Sequence, residues 1–403
     1  MNYQSQILYL HPASAFGGAS KSLIELYNCL KRMDVKGEII TPKGASSQAF
    51  IKAGMKVNTI QGLSQLDNTR YGYYRQLRWI ILLREIFYFP QSIYALLKLR
   101  KHNFDLIHIN EITLLPLGIL AKFILKLPMI VHVRSVQRTS GYGWRTRLIS
   151  YWLHCYADAV IAIDETVAES LPKGLPISVI HNGIQLNGYK SYNSTKTLEN
   201  DQSTLVGFLG VLIPLKGIYE LVEAMRILKQ RRVPVKCLIA GENARTLSRF
   251  TEWIFRKLGF SQNVRSDLEK LIVDYGLQDV VELAGFVSDV GSIYHRLDIL
   301  CFPSHLNAAG RPVFEAAFFG VPSIVAISNP KSDALLHEVT GLAIPKPDPV
   351  LIADAIQLLV SDKNLRKQMG TKAIDWAIEN YSIQNSAAAV YKIYQQLIDN
   401  RNR

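Results

Sequence analysis

Short apolar runs rich in Val, Ile and Leu alternate along the chain with longer segments whose apolar residues recur at helical spacing. That alternation predicts parallel sheets wound with helices. Strands are predicted at Ile7–Leu10, Glu38–Thr41, Lys56–Ile60, Leu106–Ile109, Met129–Val133, Ala159–Ile163 and Ile177–Ile180, with helices between them at Ser20–Lys31, Ser46–Ala53, Leu114–Leu125 and Arg145–Tyr156. Over residues 187–203 the pattern lapses into Asn, Ser, Thr and Lys with almost nothing to bury, which reads as a linker. It restarts with strands at Thr204–Leu209, Val235–Ala240, Val280–Ala284, Ile299–Cys301, Ser323–Ala326 and Leu342–Ile344, and with helices at Ile218–Gln230, Leu351–Val360, Leu365–Glu379 and Ser386–Ile398. The predicted fold class is α/β, with two doubly wound Rossmann-like parallel-sheet domains at 1–186 and 204–380. Residues 381–403 are predicted to form a last helix that returns toward the first domain. Ligands of such sheets lie beyond the carboxyl ends of the strands, so two facing domains predict a shared site in the cleft between them.

Composition narrows the class. With 403 residues, 48% of them hydrophobic, the chain is long enough for two full cores and too apolar for disorder. Cys29, Cys155, Cys237 and Cys301 form no C-x-x-C pair, which argues against a zinc site or a disulfide framework and fits a reducing cytosol. The first residues lack the basic start of a secretion signal. The longest apolar region, Ile112 to Val133, is broken by Pro116, Lys122, Lys126 and Pro128, so no clean spanning helix is expected. A cytoplasmic protein, peripheral to a membrane at most, is the expectation.

Three segments carry candidate chemistry. Phe16-Gly17-Gly18-Ala19-Ser20 follows the first strand and opens a helix, where backbone amides can approach a phosphate; an ordinary strand-to-helix turn is the competing reading. It is not the dinucleotide fingerprint G-x-G-x-x-G. Gly207-Phe208-Leu209-Gly210 ends a strand and leads to Pro214-Leu215-Lys216-Gly217, placing a lysine at the strand's carboxyl edge as a point charge suited to a diphosphate or simply exposed in a turn. The densest segment runs from Phe302-Pro303-Ser304 to Gly320-Val321-Pro322 and carries Glu315 among Phe and Ala. A carboxylate there needs partners, and two sugar hydroxyls would supply them; stabilisation by the helix dipole is the alternative.

Taken together, Gly17-Gly18, His132, His181-Asn182-Gly183-Ile184, Lys216-Gly217, Gly285-Phe286-Val287 and Pro303-Ser304 to Glu315 resemble glycosyltransferase family 4, in order and over nearly the whole chain. The resemblance implies a GT-B fold and a retaining, nucleotide-sugar-dependent glycosyltransferase of surface polysaccharide or glycolipid assembly. It implies that Lys216 binds the donor diphosphate and Glu315 the ribose. Gly210 and the backbone of Ala309, Gly310 and Val313 would meet the phosphates and sugar. Phe286 and Val287 would flank the base, His132 would contact the transferred sugar, and Gly18 would meet the diphosphate from the other domain. Catalysis would rest on His132, Lys216 and Glu315.

Two departures stand out. Asn307 occupies the first of the family's paired glutamate positions and can bond sugar hydroxyls without carrying charge. Val211 stands where the family has an arginine. Arg311 is the candidate replacement, since a guanidinium can chelate phosphate oxygens; a salt bridge is the competing role. There is no Asp-x-Asp clamp, so fixed cations and helix ends are expected to stabilise the leaving group, with no metal and no cofactor. The alternatives of a nucleotide-sugar epimerase and of a non-catalytic GT-B partner subunit remain open.

Charge points to the acceptor. Residues 1–200 hold 23 Lys+Arg against 12 Asp+Glu, whereas 201–403 hold 23 against 21. Much of that excess lies between Arg70 and Lys101, where Arg75, Arg78, Trp79 and Arg84 sit among other basic and aromatic residues with Glu85 as the lone acid. This suits a saccharide or lipid-linked acceptor at an anionic membrane surface, with a second candidate patch at Thr246–Val264. A buried helix pair with a solvated basic face is the alternative, and no nucleic-acid module is recognisable.

Overall fold

The computed structural model describes residues 4–70, 72, 81–138, 143–185, 203–243 and 263–402. The chain forms two compact units, Met1–Gln185 with Tyr381–Arg403, and Leu186–Asn380. Among the described residues the first unit holds a seven-stranded, wholly parallel sheet in the order β3-β2-β1-β4-β5-β6-β7. Its strands are β1 (Ser5–Leu10), β2 (Val35–Pro42), β3 (Lys56–Ile60), β4 (Leu106–Ile109), β5 (Met129–Val133), β6 (Ala159–Ala162) and β7 (Ile177–Val179).

Helices cover both faces, which is why the central strands read as unbroken apolar runs. On one face Leu8, Leu10, Ile107 and Ile109 pack against Leu115, Leu117 and Ala121 of the helix Leu115–Leu125. On the other, Ile7, Tyr9 and Leu106 meet Leu23, Leu26 and Leu30 of the helix Gly18–Leu30. The last helix, Ile383–Asn402, lays Ile383, Ala387, Val390 and Tyr394 on that second face at helical spacing. Each large side chain buried there stabilises the unit by about 1.5–3 kcal/mol.

Among the described residues the second unit repeats the design with a six-stranded parallel sheet, β10-β9-β8-β11-β12-β13. Its strands are β8 (Thr204–Leu209), β9 (Val235–Ala240), β10 (Val281–Gly285), β11 (Ile299–Phe302), β12 (Ser323–Ala326) and β13 (Gly341–Ile344). Strand order reverses between β1 and β4 in the first sheet and between β8 and β11 in the second. Such reversals open a crevice at the carboxyl ends, where ligands of doubly wound sheets bind.

Three short helices escaped the apolar pattern: Glu165–Glu169, Val264–Asp274 and Val290–Arg296. Each is signalled by its cap, because the side chains of Asp164, Asn263 and Asp289 accept from first-turn amides. The predicted linker, 187–203, and nearly all of Thr246–Val264 lie outside the described residues. No described helix is long and apolar enough to cross a membrane.

Candidate functional site

In the second unit the loops after β8 and β11 interlock. Gly217 has φ 71°, and a Cβ there would lie 1.7 Å from the Pro303 carbonyl oxygen, so this position demands glycine twice over. The His305 amide (3.0 Å) and the Ser304 hydroxyl (3.2 Å) both donate to the Leu215 carbonyl. The short turn Pro214–Lys216 is thereby fixed, and Lys216 places its Nζ 4.8 Å from the centre of the Phe302 ring. Among the described residues no carboxylate or carbonyl accepts from that ammonium. Burial pushes its pKa below the usual lysine value. Gly310 completes the floor, because a Cβ on it would strike the same Phe302 ring at 2.4 Å.

Glu315 sits in the helix Arg311–Phe318 and is buried. The sequence offered sugar hydroxyls or the helix dipole as its partners, and the chain itself supplies two. The Tyr294 hydroxyl donates to Oε2 at 2.9 Å, and Arg311 Nε donates to Oε1 at 2.7 Å. Arg311, read as a candidate phosphate ligand, thus makes an i,i+4 ion pair on its own helix. Asn307 adopts φ 50°, and its Oδ1 accepts from the Ser328 amide at 2.6 Å, so that side chain braces its loop. The Val313 amide is taken up by the Gly310 carbonyl at 2.9 Å. Phe286, just past β10, is 76% exposed, with half-buried Val287 beside it. Gly210 leaves β8 at φ 152°, and half-buried Ala309 immediately precedes the helix cap Gly310. Val211 is exposed.

In the first unit, residues following β1, β4 and β5 converge. His11 bonds Asn110 (2.9 Å) and Ser20 (3.0 Å) through its two ring nitrogens. Arg134 donates from Nε to Asn110 Oδ1 at 2.9 Å, from Nη1 to Asn182 Oδ1, and from Nη2 toward His132 Nδ1 at 3.4 Å. His132 Nδ1 also lies 3.1 Å from His108 Nε2, and His108 Nδ1 lies 2.6 Å from the Tyr394 hydroxyl. His132 is buried, yet its Nε2 meets no partner among the described residues. It lines a small cavity with Arg134, His181, Asn182 and Gly183. Burial, reinforced by the Arg134 charge, lowers the pKa of His11 and of His108 to about 3 and takes that of His132 well below its usual value.

Gly18 opens its helix with no positive φ, and a Cβ on it would meet nothing within 4 Å. Of the residues read as acceptor or membrane contacts, Arg75, Arg78 and Trp79 lie outside the described residues. Arg84 donates to the buried Glu85 carboxylate from Nη2 at 2.6 Å and from Nε at 3.1 Å. Tyr294, His108, Arg134 and Tyr394 were not singled out from sequence; an aromatic at helical spacing signals a core residue before it signals a hydroxyl at work.

The model for the glycosyltransferase family 4 domain matches residues 16–187, and that for glycosyl transferases group 1 matches residues 190–376. The chain belongs to the group 1/family 4 glycosyltransferases. This glycosyltransferase is 26% identical over 275 residues to the capsular polysaccharide biosynthesis glycosyltransferase CapM of Staphylococcus aureus, an alignment spanning 63% of this chain and 67% of that one. It is 23% identical over 294 residues to the lipopolysaccharide core biosynthesis mannosyltransferase LpcC of Rhizobium leguminosarum bv. viciae, spanning 71% of this chain and 76% of that one. Among solved structures, Anabaena Alr3699/HepE in complex with UDP superposes with a TM-score of 0.73 at 19% identity, covering 97% of this glycosyltransferase and all of that chain. The architecture is therefore GT-B.

Proposed function

We propose that this glycosyltransferase moves a sugar, with retention of configuration, from a nucleotide-sugar donor to a saccharide or lipid-linked acceptor in surface polysaccharide, capsule or lipopolysaccharide assembly. The observation that carries the donor assignment is Lys216, an ammonium held over Phe302 at the end of β8 with no anion of its own among the described residues. Loss of a nucleoside diphosphate builds negative charge on the leaving group, and a fixed, partly desolvated cation stabilises that charge more strongly than a solvated one. Lys216 and the amides near Gly210 and Gly310 would take the diphosphate, Glu315 the ribose, Phe286 and Val287 the base. His132 and Gly18 would meet the transferred sugar and the phosphates. With these fixed groups at the leaving oxygen, no metal is assigned a role.

The relatives named for capsule and lipopolysaccharide synthesis, and the neighbour solved with UDP, support the pathway class and the donor class. Contact with an anionic membrane is supported by the helix Ile81–Lys98. Leu83, Ile86, Phe87, Tyr94 and Leu97 are exposed along it, exposed Lys98 ends it, and exposed Arg100 and Lys101 follow.

Calorimetric titration with a panel of UDP- and GDP-sugars tests the reading. One donor should bind, and Lys216→Ala and Glu315→Ala should each weaken it at least tenfold. Incubation with that donor and membrane lipid extract should yield a glycosylated product. Isomerised donor without transfer would make the protein an epimerase, and binding without turnover would make it a partner subunit. Failure of every nucleotide sugar to bind would end the proposal.

A further inference from the structure

The first unit contains a chain of four hydrogen-bonding rings whose direction is set from one end. Tyr9 and Tyr394 hydroxyls lie 3.2 Å apart, Tyr394 lies 2.6 Å from His108 Nδ1, and His108 Nε2 lies 3.1 Å from His132 Nδ1. All four side chains are buried. Such a chain can run in two directions. In one, every ring donates toward His132, whose Nε2 then carries a proton. In the other, every ring donates toward Tyr9, and His132 Nε2 is a bare lone pair. Neutral imidazole has one N–H, so no mixed arrangement satisfies all the contacts.

Arg134 breaks the tie. Its guanidinium has donors and no acceptor, and Nη2 points at His132 Nδ1 from 3.4 Å. A proton on Nδ1 would face that cation, whereas a lone pair there accepts from it. The other nitrogens of Arg134 are held by Asn110 and Asn182, so the cation cannot swing aside without losing both. Nδ1 must then accept from His108 Nε2–H, His108 Nδ1 from Tyr394, and Tyr394 from Tyr9.

We infer that His132 presents Nε2–H as a hydrogen-bond donor to a hydroxyl oxygen of the transferred sugar, fixed in that tautomer by Arg134 and by the His108–Tyr394 relay, and that it does not act as a general base. Arg134, His108 and Tyr394 are positioning residues in this scheme. The unpartnered, buried Nε2 beside the cavity is the end of the relay, and a sugar oxygen would be its missing acceptor. The part played by the sugar rests on the proposed function; the direction of the relay does not.

Ring 15N NMR of the ligand-free full chain, labelled at histidine, tests the direction, with His132 and His108 assigned by comparison with His132→Gln and His108→Gln. Both rings should show a protonated Nε2 and an unprotonated Nδ1. The opposite pattern, or a mixture of tautomers in either ring, would overturn the inference. Arg134→Gln should produce the mixture and Arg134→Lys should restore one tautomer, a spectroscopic change that simple loss of packing would not mimic. If Arg134→Gln does not fold, the unmodified spectrum alone still decides. With the relay confirmed, unchanged donor affinity in His132→Ala would remove the sugar from the scheme while leaving the tautomer assignment standing.

Discussion

Tyr294 donates a 2.9 Å hydrogen bond to the carboxylate of Glu315 while Arg311 closes the other oxygen at 2.7 Å, so a buried acid is held from two sides by its own chain. A buried acceptor that loses its donor costs about 1–3 kcal/mol, and a buried carboxylate that loses a cation costs more. Arg311→Met should therefore lower the urea midpoint further than Tyr294→Phe does. Arg311→Met combined with Glu315→Leu should recover much of the loss. Urea unfolding of the three variants checks this, and equal midpoints for all of them would contradict it.

Two glycines should respond oppositely to alanine. Gly217→Ala meets the Pro303 carbonyl at 1.7 Å in a left-handed conformation, and should destabilise the second unit by several kcal/mol. Gly18→Ala enters open space at a helix start and should raise stability by about 0.5–1 kcal/mol. With the proposed contact between Gly18 and the donor diphosphate, the same methyl would crowd a phosphate, so donor affinity should fall. Thermal melts and donor titration read both effects; unchanged affinity in Gly18→Ala would detach that position from the donor.

The buried histidines set an acid limit. His11 and His108 stay neutral in the folded state down to about pH 3, and His132 is shifted the same way. The unfolded chain takes up those protons near pH 6.5. Stability is thus fully present above that value and falls as pH drops from about 6.5 toward 3, each residue adding a slope of about 1.4 kcal/mol per pH unit. Urea midpoints at pH 7, 6 and 5 should fall steeply, with His108→Gln showing a shallower slope. A flat profile would refute the assignment.

Membrane contact predicts a defined lesion. Leu83→Ser with Phe87→Ser removes two exposed apolar side chains, 65% and 70% accessible, that no core requires. Melting temperature should change little, whereas sedimentation with phosphatidylglycerol vesicles should weaken about tenfold, the effect of roughly 1.4 kcal/mol of lost apolar burial. Equal sedimentation of variant and parent would exclude this helix as the contact.

The strands were legible because parallel sheets covered on both faces force continuous apolar runs such as Ile7–Leu10 and Met129–Val133. Lys216 and Glu315 were legible because a charge at a strand end or among Phe and Ala stands out locally. The partners of Glu315 and of the buried histidines were not. Tyr294 reads as a core aromatic, and His108 and Tyr394 are 286 positions apart, a separation no local pattern spans. Arg311 and Glu315 do stand at ion-pair spacing, yet spacing alone cannot say whether a guanidinium faces a carboxylate or a ligand.

The interval between His108 and Tyr394 also imposes an order of assembly. As the chain leaves the ribosome, β1 through β7 and the whole of Leu186–Asn380 are synthesised before the helix Ile383–Asn402. Until then Tyr9 and His108 lack the hydroxyl that joins them, and one face of the first sheet is covered in part only, by the helix Gly18–Leu30. The unit that holds Tyr9 and His108 is therefore completed only after Leu186–Asn380 has been made, and a nascent chain lacks the complete ring relay until the helix Ile383–Asn402 emerges.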